Sequence, residues 1–105
     1  MFIARWIVEV RFGQKDAFLS LLHRFDSEIM ASLGVEKSSV RWLNASIGAP
    51  ESRYEEEMQV NSLLELEEFW AKVGQSSAYA ALAQELAPLI IPGSNRWEIY
   101  RVVNL

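Results

Sequence analysis

The first and last segments of the chain alternate in the way that β-strands do. Over residues 2–12 every even position is apolar, while the odd positions mix Ile3 and Ile7 with arginine and glutamate. Residues 96–103 repeat the same period near the other end. Successive side chains of a strand point to opposite faces. Both segments therefore predict strands that carry apolar groups on both faces of a sheet.

The segments that follow the first strand predict a helix and a hairpin. Over residues 14–33 apolar side chains recur at spacings of three and four, which is typical of an amphipathic helix, and Gly34 suits its left-handed C-cap. Residues 39–47 and 53–61 predict two strands joined by a Gly/Pro loop, which favours an antiparallel hairpin.

A second helical region is predicted after the hairpin. Ser62 and Glu65 have the spacing of a capping box, and apolar positions continue through Val73. Gly74 interrupts this pattern, and Ser76 or Ser77 can cap a second segment that ends at Leu86, before Pro88.

The order strand, helix, strand, strand, helix, strand predicts an α+β ferredoxin-like βαββαβ fold with a four-stranded antiparallel sheet. The 105 residues favour a single domain over 1–105. Two helices cover only one face of such a sheet. We therefore expect the other face to pair with a second copy of the chain and to contain any ligand pocket.

The alternation also assigns side chains to the two faces. We expect the helices to cover the even set of the first strand together with Leu43, Ala45, Ile47, Tyr54, Met58, Val60, Trp97, Ile99 and Val103, with Glu56 an awkward member. The open face then collects Arg5, Ile7, Glu9, Arg11, Val40, Trp42, Asn44, Ser46, Arg53, Glu55, Glu57, Gln59, Glu98, Tyr100 and Val102. Arg5 and Glu57 are expected to pair, because the first and third strands are neighbours in this topology.

The chain resembles the dimeric α/β-barrel superfamily, within which it looks most like NIPSNAP-like and antibiotic biosynthesis monooxygenase-like small proteins. The resemblance runs through MFIARWIVEVRFGQKDAFLSLL, EMQVNSLLELEEFWAKV and RWEIYRVV, and it rests on element order, length and an aromatic-rich second helix. It implies a homodimer in which two sheets pack face to face into a barrel. In some members it also implies a small-molecule site between the sheet and the helices.

Composition excludes several classes of function. The chain has no cysteine, which removes zinc–thiolate sites and a cysteine nucleophile. Its net charge is −4 with no basic run, which argues against a nucleic-acid surface, and the acidic third strand lacks the aromatic pattern of an RNA-recognition module. No apolar run is long enough to span a membrane. We expect a cytoplasmic protein without a metal or cofactor.

His23 is the single histidine, and it follows Leu22 beside the apolar stripe of the first helix. Some members of the superfamily bind or degrade haem, but their ligand generally comes from the second helix, which has no histidine here. We therefore expect His23 to be a solvated or flanking residue. A haem titration would test the alternative.

The candidate ligand-binding residues are Arg5, Glu9, Trp42, Asn44, Glu57 and Tyr100, all expected on the open face. Glu55 and Glu57 are also expected to share a face, where ion pairs with arginine are favoured over a cation site. No catalytic residue is assigned. One hypothesis is a homodimer that binds a small apolar or aromatic molecule, with cofactor-independent monooxygenase-like or isomerase-like chemistry if it is an enzyme. The alternative is a non-catalytic dimeric interaction protein with no ligand pocket.

Overall fold

The computed structural model describes residues 1–105 and contains one four-stranded antiparallel sheet with helices on one side. Its strands are β1 (Phe2–Glu9), β2 (Val40–Asn44), β3 (Arg53–Val60) and β4 (Arg96–Arg101). Its helices are α1 (Lys15–Arg24), α2 (Leu63–Gln75) and α3 (Ser77–Leu86). The sheet order is β2-β3-β1-β4. The predicted α+β ferredoxin-like fold is confirmed.

The first helical region is less regular than its sequence period predicts. After α1 the chain continues as a π-helical turn over Phe25–Ile29 and a 3₁₀ turn over Ala31–Leu33. Gly34 then ends the segment with φ 74°, in the left-handed conformation expected of a C-cap. The apolar stripe survives these changes, because Phe25, Ile29 and Leu33 are all buried.

The predicted caps of the second helical region form. The Ser62 hydroxyl accepts a hydrogen bond from the Glu65 amide at 3.2 Å, while the Glu65 carboxylate accepts one from the Asn61 amide at 2.7 Å. The Ser76 hydroxyl accepts from the Tyr79 amide at 3.1 Å, so Ser76 rather than Ser77 caps α3. These bonds satisfy amides that the first turn of a helix leaves unpaired.

The core lies between the helices and the helix-facing side of the sheet. It has two clusters, a larger one around Ala4, Met58 and Leu66 and a smaller one around Val8 and Phe18. Tyr54, Met58 and Val60 are buried on this side as predicted, and Glu56 is buried among them. Trp97 and Ile99 share this face by register, also as predicted, although both stay partly exposed at the edge strand.

The predicted face of β2 is wrong. Trp42 lies opposite Glu56 of β3, so Val40, Trp42 and Asn44 are on the helix-facing side and Leu43 is on the open side. The strand ends at Asn44, which leaves Ile47 in the loop and 97% exposed. The aliphatic residues of this short segment suggested that Leu43 faces the helices, which places every side chain of the strand on the wrong side. A shift of one residue exchanges the two faces of a strand.

Two strand ends are also shorter than predicted. The ladder of β1 ends at Glu9, and only an isolated bridge from Val10 to Ile90 extends it. Phe12 is therefore fully exposed rather than part of the helix-facing set. At the other end, β4 stops at Arg101 and leaves Val103 outside the sheet.

Candidate functional site

One row of side chains crosses all four strands on the helix-facing side of the sheet. The register places Trp42 of β2 beside Glu56 of β3, Glu56 beside Trp6 of β1, and Trp6 beside Trp97 of β4. Directly opposite residues of an antiparallel pair have Cβ atoms about 4.5–5.5 Å apart. This tryptophan row therefore holds a single carboxyl group between two indole side chains.

The helices close a pocket over the tryptophan row. Its volume is about 100 Å³, and we call it the indole pocket. Glu56 is its one charged residue, and twelve of its thirteen lining residues are hydrophobic. The lining residues are Trp6, Leu21, Leu22, Phe25, Trp42, Glu56, Phe69, Trp70, Val73, Tyr79, Leu82, Leu86 and Trp97.

The aromatic side chains of the indole pocket pack at steep angles to one another. Trp42 stands edge-on to Trp6 and to Phe25, each at 6.3 Å between ring centroids. Trp70 of α2 meets Trp97 at 5.5 Å in a similar arrangement, and both are more than a third exposed. This second pair marks the open end of the pocket. All four tryptophans of the chain thus line one cavity.

Glu56 has an unusual environment for a carboxyl group. It is 5% exposed and takes part in none of the ion pairs of the sheet. Burial raises the pKa of Glu56 from 4.5 to about 7, and the negative charge of Asp26 adds to the effect. A titratable group tuned in this way inside an apolar pocket is typical of a functional site.

Two further polar groups belong to the indole pocket. Burial raises the pKa of the Tyr79 phenol above its usual 10, and the neighbouring charge of Glu56 raises it further. The buried Nε1 of Trp42 has no hydrogen-bond partner. An unpaired buried donor of this kind lowers stability.

The open face of the sheet has a different chemistry. One row there runs Arg41, Glu57, Arg5, Glu98 across the four strands, so that charges alternate. Arg41 Nε donates to Glu57 at 2.7 Å, and Arg5 pairs with both Glu57 and Glu55. The expected pair of Arg5 with Glu57 and the common face of Glu55 and Glu57 are confirmed.

The structure separates the six candidate ligand-binding residues into two groups. Arg5, Glu9, Glu57 and Tyr100 lie on the open face, where Glu9 pairs with Arg53 and the Arg5 guanidinium stacks on the Tyr100 ring. Trp42 and Asn44 lie on the other side, and only Trp42 reaches the indole pocket. The indole pocket is therefore on the helix-facing side, while Glu57 lines a separate groove of about 420 Å³ at the open face.

Asn44 has a structural contact instead. Its side-chain amide donates to the carbonyl oxygens of Glu51 and Arg53, at 2.8 and 3.0 Å. These bonds hold the two ends of the β2–β3 loop together. Asn44 therefore contributes to the hairpin and does not line the cavity.

Two other features, His23 and a groove beside α2, are weaker candidates for a functional site than the indole pocket. His23 is exposed, as expected. A wider open groove of about 600 Å³ runs beside α2 between Leu33 and Lys72, but its lining contains no buried ionisable group. No cluster of three or more metal-ligating side chains is found, and no helix is long and apolar enough to cross a membrane.

Glu56, Tyr79 and Trp70 line the pocket although they are not among the candidate residues predicted from the sequence. A signal was present for Glu56, because it is the single charged residue in the helix-facing set of β3. The run Glu55–Glu57 obscured it, since its outer two members do form ion pairs. Tyr79 and Trp70 carried no signal of this kind, because apolar helix positions look alike whether they fill a core or line a cavity.

Solved structures with the same fold cover nearly the whole chain. A NIPSNAP family protein from Agrobacterium tumefaciens has a TM-score of 0.81 and 20% identity over 98% of this chain and 93% of its own. A NIPSNAP-like domain protein from Burkholderia xenovorans has a TM-score of 0.75 and 11% identity, covering 97% and 84% of the two chains. A provisionally assigned antibiotic biosynthesis monooxygenase from Nitrosomonas europaea has a TM-score of 0.68 and 10% identity, covering 99% and 100%.

These neighbours match the superfamily that the sequence resembles. No protein-family model matches the chain, and no curated protein does. At identities of 20% or less, the likeness establishes the fold and not an activity.

Proposed function

We propose that this protein binds a small molecule with an apolar or aromatic group in the indole pocket. The observation that carries the proposal is a single buried carboxyl group, Glu56, in a cavity that is otherwise almost entirely hydrophobic. Ligand sites typically combine an apolar lining with a few polar groups that fix orientation. The cavity also argues against the alternative of a dimeric protein without a ligand pocket.

The size of the pocket limits what can enter. An engineered apolar cavity of about 150 Å³ accepts benzene, whereas the indole pocket offers about 100 Å³. A group somewhat smaller than a benzene ring therefore fits without rearrangement. A larger molecule would place the rest of its body at the open end, between Trp70 and Trp97.

The four indole groups report directly on binding. We expect small aliphatic alcohols to shift the Trp42 indole N–H resonance saturably and to change tryptophan emission. The variant Val73→Phe fills the pocket and should abolish both effects, while Leu63→Phe, on an exposed position of α2, should leave them unchanged. The absence of a saturable change in the unaltered protein, up to the solubility limit of the probes, would contradict the proposal.

Proton transfer is a second candidate function, and the position of Glu56 favours it. A carboxyl group with a pKa near 7 can both accept and release a proton at neutral pH, as isomerisation or cofactor-independent oxygenation requires. We expect deuterium from solvent to enter small ketones or aldehydes at a rate that rises through a midpoint of about 7. The rate should fall to background in Glu56→Gln and persist in Glu57→Gln. Exchange at background rate in the unaltered protein would remove this candidate.

We also propose that the open face pairs with a second copy of the chain, as the superfamily resemblance implies. The alternating row from Arg41 to Glu98 is self-complementary under a two-fold axis. Reversed against itself, it sets Arg41 against Glu98 of the partner subunit and Glu57 against the partner's Arg5. Half-buried Leu43 and exposed Tyr100 add apolar area to this face.

A charge swap tests the pairing. Arg41 and Glu98 lie three strand spacings apart within one chain, about 14 Å, which is too far for a direct contact. We expect light scattering to give twice the chain mass of 12.0 kDa. The variant Arg41→Glu should dissociate the pair, and the double variant with Glu98→Arg should restore it. A chain that stays monomeric at submillimolar concentration would contradict the pairing.

A further inference from the structure

We propose that the group bound in the indole pocket is an alkylammonium cation, held by Glu56 and the surrounding indole rings. The inference rests on the proposed ligand pocket and names the chemistry of its occupant. It depends on the unpaired carboxyl group, on the aromatic lining and on the charges that the pocket lacks.

The indole pocket holds a single carboxyl group, that of Glu56. A buried carboxylate requires a counter-charge or hydrogen bonds, and Glu56 has neither an arginine nor a lysine partner within the chain. Its neighbour Glu57 has two arginine partners on the other face. A hydrocarbon ligand would remove Glu56 further from water without pairing it. A protonated amine supplies both the missing charge and an N–H donor.

Indole rings form a large part of the cavity wall. Indole has the aromatic face that attracts cations most strongly, at distances of up to about 6 Å. The tryptophan row places Trp6 and Trp42 on either side of Glu56, and Trp70 stands at the open end. Proteins recognise alkylated ammonium groups in cages of aromatic side chains, and the indole pocket combines an aromatic lining with a carboxyl group.

Few ionisable groups lie near Glu56, and none of them is basic. Asp26, on the π-helical turn, adds a negative potential, although Lys37 pairs with it at 2.9 Å. Tyr79 of α3 keeps its phenol neutral to high pH. No arginine or lysine lines the pocket, so a carboxylate or phosphate ligand would meet no counter-charge there. The surroundings therefore favour a cation over an anion.

Two isosteric probes separate charge from shape. The cation 2-(dimethylamino)ethanol and the neutral alcohol 3-methylbutan-1-ol have the same number of heavy atoms and the same branching. At about pH 8, where Glu56 is mostly ionised, we expect the cation to bind about tenfold more tightly, as read from the Trp42 indole resonance. The Glu56→Gln variant should bring the two affinities within about twofold. Glu57→Gln, which alters the adjacent residue on the opposite face, should leave the preference intact.

A second measurement needs no variant. Lowering the pH to about 5 protonates Glu56 and leaves the amine charged, so the preference for the cation should largely disappear. Equal or tighter binding of the alcohol at about pH 8 would overturn the inference while leaving the proposed ligand pocket in place. A preference that survives in Glu56→Gln would overturn it too. If neither probe binds, the proposed function fails together with the inference.

Discussion

Glu56 and Glu57 are consecutive residues of one strand, yet the sheet gives them opposite environments. Glu57 points to the open face and lies within reach of Arg5 and Arg41, in a row where charges alternate. Glu56 points to the helices, is 5% exposed and stands between two tryptophans. The residue type and the strand are the same, so the difference comes from the cross-strand partners and from the helices that cover one face.

The two faces of the sheet therefore differ in how they treat a carboxyl group: one pairs it with arginine, and the other buries it without a partner. On the open face each carboxylate has a guanidinium partner within the chain, and its charge is already compensated. On the helix-facing side the chain provides a carboxyl group and no partner for it. A buried charge without a partner lowers the free energy of unfolding. A ligand that paired with the charge would raise the free energy of unfolding again.

The largest expected difference between the two faces of the sheet is in how much side-chain packing contributes to the free energy of unfolding. Trp42→Ala removes edge-on contacts with Trp6 and Phe25 and should lower the free energy of unfolding by about 3–4 kcal/mol. Arg41→Ala, one residue earlier, removes an ion pair that is exposed within one chain, so at a concentration where the chain is monomeric it should cost about 1 kcal/mol or less. Urea denaturation of both variants measures the contrast. If the two variants lost similar amounts of free energy of unfolding, the proposed difference in packing between the two faces would be contradicted.

The second difference is in pH dependence. The pKa of Glu56 is about 7 in the folded protein against 4.5 for a free carboxyl group. The folded state therefore binds the extra proton, and the stability that this gives is present below pH 4.5 and lost as the pH rises to about 7. Relative to the unaltered protein, Glu56→Gln should gain about 3 kcal/mol between pH 4.5 and 8.

Glu57→Gln provides the matched control for this gain. It removes the ion pairs with Arg5 and Arg41, so at neutral pH it should lower stability slightly. Unfolding measured at several pH values would show curves of opposite sign for the two variants. A flat difference between Glu56→Gln and the unaltered protein would mean that the carboxyl group is paired or hydrated in solution.

The smallest difference is in the response to salt. A double-mutant cycle on Arg41 and Glu57 should give a coupling of about 0.5 kcal/mol, since the Arg41 side chain is largely exposed. At about 1 M salt the screening length falls to about 3 Å, and the coupling should approach zero. The effect of Glu56→Gln should persist under the same conditions. If the effect of Glu56→Gln were as sensitive to salt as the coupling of Arg41 with Glu57, Glu56 would be as accessible to water as a surface residue.

The fold followed from the sequence because its signals are local. Strand alternation, the Ser62 cap and the glycine at position 34 are each read within a few residues, and the structure has all of them. The order of elements then leaves few sheet topologies to choose from. The π-helical turn at Phe25 had no such local signal, because the apolar stripe continues through it unchanged.

The pocket could not be placed in the same way, because it depends on register. Trp42 belongs to a strand of five residues whose aliphatic neighbours favoured the other phase. The position of Glu56 was predicted correctly, but its isolation became clear only once the partners across the strands were known. The candidate site is defined by the absence of an ion-pair partner for Glu56, and residue composition alone does not reveal such an absence.

The sheet order has a consequence for the nascent chain. Strand β1 is central and pairs with β3 and β4, which follow it along the chain by tens of residues. At usual rates of translation, roughly 5–20 s separate the synthesis of β1 from that of β4. During that interval an apolar strand, Phe2–Glu9, is without one of its partners on the ribosome. We therefore expect the incompletely synthesised chain to bind chaperones that recognise extended hydrophobic segments.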